Sequence, residues 1–363
     1  MFLKSRHASA GVVPRSPNLP PWSGSHYVGI DENGMGPRLG PLIVTSVLAR
    51  ARPDSDGAKL ATSKPRGVLA KRIGDSKKLV AFDDSTLGEA WARAIVARAA
   101  KARAEREPSA GASPYVGPLT PADLLAAVAL DSDATLRSPC PSHHVDLCWG
   151  SEGEAFTADE KAVAACAKDL DRLEARGLDV LGVRVAIVCT RKLNDAVDAG
   201  LSRFDVDLHT MERLALAARE EAGDHIYAHC GKVGGFGFYG ERFGPLAGRL
   251  YTVLCEGRAR SEYQIAGIGR LAFLRDADDS HLIVGLASLV GKWARDHLMR
   301  RIVRWHRSHV PDAPEASGYH DPVSSRFIAA TALVRKELRV DPRCFERTSI
   351  GKKDAATAKS AGR

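Results

Sequence analysis

The residues best suited to chemistry lie in Tyr27-Val28-Gly29-Ile30-Asp31-Glu32-Asn33-Gly34-Met35-Gly36-Pro37, where two adjacent carboxylates end an apolar strand and a glycine-rich turn follows. Carboxylate oxygens hold hard cations such as Mg2+ and Mn2+, and glycines let a backbone approach a polyanion closely. The layout points to metal-assisted chemistry on a phosphate. An ordinary solvated hairpin turn has the same composition, so Asp31 and Glu32 need partners from elsewhere in the chain. Gly34-x-Gly36-x-x-x-Gly40 is not a dinucleotide loop, because it leads into a strand where that fingerprint opens a helix.

Three later segments could supply those partners: Asp75-Ser76-Lys77-Lys78-Leu79; Ala277-Asp278 followed by Ala287-Ser288-Leu289-Val290-Gly291-Lys292-Trp293-Ala294-Arg295-Asp296; and Ser317-Gly318-Tyr319 with Asp321-Pro322. Together with the first motif and its continuation Gly36-Pro37-Arg38-Leu39-Gly40-Pro41, they resemble, in order and spacing, the type 2 ribonucleases H (ribonuclease HII/HIII). That family cuts RNA where it is joined to or paired with DNA. The resemblance implies that Asp31, Glu32 and Asp278 are catalytic and hold Mg2+ or Mn2+. It also implies that a water attacks the phosphate, leaving a 5'-phosphate and a 3'-hydroxyl. Gly34, Met35 and Gly36 would read the 2'-hydroxyl at an RNA-DNA junction, and Tyr319 would pack on the junction sugar. Lys77, Lys78, Ser288 and Lys292 would contact substrate. Asp278 lies ten residues before Ser288, as the family's aspartate does, although with Asp276 and Asp279 it could instead cap the next helix. Ser288, Lys292 and Arg295 share one helix face, where Arg295 could equally belong to a salt-bridged surface.

The chain departs from the family at two places. The family carries a further aspartate at the end of a middle strand; here the comparable position is Gly231, or His229 if the register moves by two. His229 is a softer nitrogen ligand, and Asp224 sits at the strand's other end. Met35 stands where the family has arginine. The implied partner is an RNA-DNA hybrid or DNA containing ribonucleotides. The implied function is ribonuclease HII-like endonuclease activity; the alternatives are a catalytically lapsed relative serving as a hybrid-binding or protein-interaction module, or another metal-dependent nuclease.

Composition agrees with a polyanionic partner. The net charge is +8 and the pI about 9.2, and Lys and Arg that neutralise phosphates release condensed counterions. Aromatics make up only 6% of residues, too few for a surface of stacked single-stranded bases. No run of about 18 apolar residues is present, and the N-terminus lacks a compact secretory stretch, so a cytoplasmic monomer is expected. Seven cysteines without regular spacing fit reduced thiols. Cys140, His143, His144 and Cys148 sit close together and could hold zinc, but they match no standard finger spacing, and a free loop is the better reading.

The pattern of elements is α/β or α+β, which the resemblance sharpens to a ribonuclease H-like mixed sheet flanked by helices with a C-terminal helical extension. Strands are expected at Tyr27–Asp31, Leu42–Leu48, Val183–Cys189, Ile226–Cys230, Leu250–Leu254 and Leu271–Leu274. Helices are expected at Gly88–Arg106, from a capping box at Thr157 to Arg176, at Asp207–Glu221 and at Ser280–His306. Residues 1–24 read as a flexible basic leader, 25–350 as the folded domain with an insertion at about 108–156 that is prone to disorder, and 351–363 as a basic tail.

Overall fold

The apolar strand that carries Asp31 and Glu32 lies inside the sheet, with a paired strand on each side. The computed structural model describes residues 21–80, 84–106, 117–234 and 236–348. Among the described residues, seven strands form one mixed sheet: β1 (His26–Asn33), β2 (Leu42–Ala51), β3 (Leu178–Val188), β4 (Ile226–Gly231), β5 (Tyr251–Cys255), β6 (Arg260–Ile265) and β7 (Gly269–Leu274), in the order β3-β2-β1-β4-β7-β6-β5. β4 runs parallel to both β1 and β7, whereas β2, β3, β5 and β6 join by antiparallel pairing. The carboxyl ends of β1, β4 and β7 therefore open on the same side of the sheet.

Alternation along β1 assigns its side chains to two faces. Tyr27 belongs to a core with Ile43, Val47, Ile283 and Trp293, while Val28 and Ile30 belong to another with Val44, Val206, Met211 and Cys230. Helices of eight or more residues are α1 (Thr86–Arg106), α2 (Pro121–Val128), α3 (Glu160–Ala175), α4 (Thr190–Asp198), α5 (Arg203–Ala222), α6 (Leu282–His309) and α7 (Pro322–Ala330). α1, α3 and α6 cover the first face and α5 the second. The first half of α6 is apolar all round because it is buried on both sides. Gly29 of β1 and Gly88 of α1 admit it: a Cβ at Gly29 would lie 2.3 Å from the Ile283 carbonyl carbon, and one at Gly88 would lie 2.2 Å from the Leu289 oxygen. A third core, with Leu39, Leu147, Met299, Phe327 and Phe345, joins the end of α6 to the C-terminal helices.

The expected class holds: a mixed sheet with helices on both faces and a helical C-terminal region. Four local expectations change. β6 was not anticipated. The capping box at Thr157 does not form; Asp159 caps α3 through the Ala162 amide, and Thr157 instead gives its N–H and hydroxyl to buried Glu89. The described part of the insertion is packed, not loose. Glu154, its side chain 3% exposed, accepts two hydrogen bonds from Arg301 at 2.6 and 2.8 Å, which pins the segment to α6. The expected leader and tail lie outside the described residues except for Pro21 to Gly24, where Trp22 packs on Tyr227 with ring centroids 5.5 Å apart. All seven cysteines are free, and no described helix is long and apolar enough to cross a membrane.

Candidate active site

Asp31 and Glu32 sit near the carboxyl end of β1 and, by alternation, face opposite sides of the sheet. The four motif segments, far apart in sequence, are joined to one another by direct contacts. The Ser288 hydroxyl lies 3.1 Å from that of Ser76, and the Asn33 side-chain amide donates to the Ser288 carbonyl at 3.2 Å. Arg295 donates to the Ser317 carbonyl at 3.0 Å, and the Arg38 and Leu39 amides donate to the Gly318 carbonyl at 2.8 and 3.1 Å.

The carboxylates crowd one another. Burial pushes Asp31 well above the usual carboxylate range, Glu32 and Asp278 push it further, and the Ser288 hydroxyl and Lys77 oppose them. Glu32 is raised to about 7, chiefly by burial, with Lys77 as its main counterweight. Asp278 is raised by burial and then by Asp75. It does not cap α6: His281 occupies that position, and the Asp278 side chain accepts only the neighbouring Asp279 amide, at 3.0 Å.

Glu32 makes stability depend on pH. Its folded value of about 7 lies above its ordinary 4.5, so the folded state binds the extra proton between these values. The contribution is intact below pH 4.5 and is lost as pH rises through 7. In EDTA, the fall in melting temperature from pH 5 to pH 8 should be smaller in Glu32→Gln than in the parent; equal falls would refute this assignment.

The expected substrate residues separate into groups. Lys77 is the cation that Asp31, Glu32 and Asp278 all feel, whereas Lys78 turns to Asp279 at 3.2 Å and Asp75 at 3.6 Å. Lys292 lies 2.5 Å from Asp296. Arg295 is 2% exposed, so it is not a surface residue; its guanidinium lies 4.5 Å from the centre of the Tyr319 ring, which is itself 40% exposed. Gly34 has a φ of +95°, which glycine adopts without strain, and a Cβ at Gly36 would meet nothing within 4 Å. Met35 packs against the α5-side core.

Gly231 lies beside Asp31: a Cβ there would be 2.8 Å from Asp31 Oδ1. His229, two residues earlier, is buried against Tyr227 and His281, and burial drives it well below its ordinary value. Asp224 precedes β4, at the other end of the strand, and accepts the His225 amide.

Two residues with roles here were not singled out from sequence. Arg347, buried, donates to the carbonyls of Gly34 at 2.6 Å, Gly40 at 2.9 Å and Met35 at 3.3 Å, tying down the glycine turn from the C-terminal segment. Asp207, on α5, is raised by burial and then by Glu32 and Asp31. The one available signal for Asp207 was an acidic residue among the apolar positions Val206, Leu208 and Met211.

An all-carboxylate donor set suits a hard divalent cation. Among the described residues, however, no group of three or more His, Cys, Asp or Glu side chains is already set to hold an ion. The zinc reading of the insertion gains nothing: His143 and His144 bond to the carbonyls of Leu338 and Pro141. Cys140 and Cys148, with Cys189 and Cys344, line a cavity of about 40 Å³.

No protein-family model and no curated protein matches the chain. Solved structures that resemble it include Bst-RNase HIII in complex with Mn2+, with 13% identity, 93% of this chain and 71% of that one covered, and a TM-score of 0.42. Another is RNase HII in its PCNA complex from Archaeoglobus fulgidus, with 15% identity, 90% and 98% covered, and a TM-score of 0.37. A mutant of Bst-RNase HIII gives 12%, 98% and 78%, and 0.41.

Proposed function

We propose that this chain is a divalent-metal-dependent endonuclease of the type 2 ribonuclease H kind, acting on RNA-DNA hybrids or on ribonucleotides embedded in DNA. The observation that carries the reading is the convergence of the four motif segments: Ser288 reaches Asp31 and Ser76, Arg295 of the same helix packs against Gly34 and bonds Ser317, and Gly318 accepts the Arg38 and Leu39 amides.

Asp31, Glu32 and Asp278 would hold Mg2+ or Mn2+, which when bound supplies Lewis acidity toward the phosphate and a more acidic water. Lys77 moderates the negative charge and keeps the site approachable by a polyanion. The Gly34–Gly36 backbone offers hydrogen-bonding groups to a ribose 2'-hydroxyl, the feature that distinguishes RNA from DNA. The exposed Tyr319 ring, backed by Arg295, offers an apolar surface to the sugar.

A second reading, a hybrid-binding module that no longer cuts, is favoured by Gly231 beside Asp31. End-labelled DNA duplex carrying one ribonucleotide, incubated in Mg2+ and in Mn2+, separates the two. The nuclease reading expects a nick at the ribonucleotide and binding at least about 1 kcal/mol tighter than to plain DNA at matched salt, the scale of one hydrogen bond. Tighter binding without a nick supports the module; neither result sinks both readings.

A further inference from the structure

We infer that Asp207 supplies the fourth carboxylate of the divalent-cation site, from helix α5, in place of the one that strand β4 lacks. The inference rests on the metal-dependent reading above and adds to it a ligand from a different element.

The first argument is placement. Asp31 and Glu32 face opposite sides of the sheet, so a site that uses both must lie where β1 ends and both faces are within reach. Asp278, in the turn leading into α6, serves the Asp31 side. α5 packs on the other side, where Val206, Met211 and Leu214 join Val28, Ile30 and Cys230 in one core. Asp207 lies one turn before Met211 on that helix, and Glu32 lies two residues beyond Ile30 on that face of β1.

The second argument is an unmet bonding requirement. Asp207 is 1% exposed, and its Oδ1 has no hydrogen-bond partner. Arg203, one turn earlier, gives its guanidinium to the Thr348 carbonyl at 2.5 Å. Buried polar atoms are nearly always paired, and a carboxylate oxygen left open beside Glu32 is an acceptor waiting for a cation.

The third argument is space. A side chain at Gly231 would have its Cβ 2.8 Å from Asp31 Oδ1, so a carboxylate there requires the Asp31 side chain to shift. Asp207 comes from α5, which packs on the Cys230 face of β4, opposite the face to which Gly231 belongs.

The test is Mn2+ titration of the full chain by calorimetry, with melting temperatures measured in EDTA and in Mn2+, for the parent, Asp207→Asn, Glu32→Gln and the double variant. Asp207→Asn should weaken Mn2+ binding at least tenfold and shrink the Mn2+-induced rise in melting temperature. Its effect should not add to that of Glu32→Gln, because the two would share one ion. A melting temperature in EDTA at or above that of the parent would show that the loss is not one of folding. Should the asparagine variant fail to fold, Asp207→Ser takes its place in the same titration. Parent-like Mn2+ affinity in the Asp207 variant, with binding intact in the parent, overturns the inference alone. No Mn2+ binding by the parent overturns the metal-dependent reading and this inference with it.

Discussion

Asp31→Asn should leave the protein folded and reduce metal-dependent cleavage by about 10³-fold or more, the scale expected when a group that organises charge at the reacting centre is lost. Asp31 has Glu32, Asp278, Ser288 and the bare Gly231 around it, so no neighbouring carboxylate can take its position without moving. Asparagine keeps the shape but cannot carry the charge that holds a cation. The same burial that makes Asp31 a poor acid makes its charged form unfavourable in the empty site. The variant should therefore melt in EDTA at or above the parent temperature, the usual trade between activity and stability. Single-turnover cleavage beside a melt in EDTA checks both halves. Cleavage within tenfold of the parent would remove Asp31 from the chemistry.

The second large effect concerns how the site is held. Gly29→Ala should cost about 3 kcal/mol, at the upper end for overpacking, and lower the melting temperature by roughly 4–5 °C. The new methyl would meet the Ile283 carbonyl carbon at 2.3 Å, its oxygen at 2.4 Å and the Val284 nitrogen at 2.5 Å, all backbone atoms that cannot rotate aside. α6 would have to lift from β1, carrying Ser288 and Arg295 away from Asp31 and Gly34. Gly36→Ala is the matched control, since a Cβ there meets nothing and φ is not positive. It should melt within about 0.5 kcal/mol of the parent. A thermal scan of the pair is decisive, and equal midpoints would refute the close-packing account.

The legible parts of this protein were those whose signal is local. β1 could be read from a short apolar run ending in two carboxylates, and α6 from a long apolar stretch with a basic end. Asp278 was singled out by the resemblance, which sets an aspartate ten residues before Ser288; in the structure its charge acts on Asp31. β6 was missed because Arg260-Ser261-Glu262-Tyr263-Gln264-Ile265 is mostly polar; its buried Glu262 is held by Tyr227 from β4 and by Arg260 two residues before it on the same strand. The insertion looked loose because proline, serine and glycine dominate it, yet Leu147 and Glu154 fasten it through partners more than 140 residues away. Asp207 and Arg347 were illegible for one reason: each matters only through a neighbour that folding brings to it.

The interior place of β1 has a kinetic consequence. Hydrogen exchange and local opening start at edges and ends, where few buried contacts hold the backbone. β5 is such an edge, with Tyr251 and Val253 exposed, whereas β1 is flanked by β2 and β4 and covered on both faces. The amides of Val28 to Asp31 should be among the last to exchange, so the strand that carries the carboxylates would open only when the whole domain does.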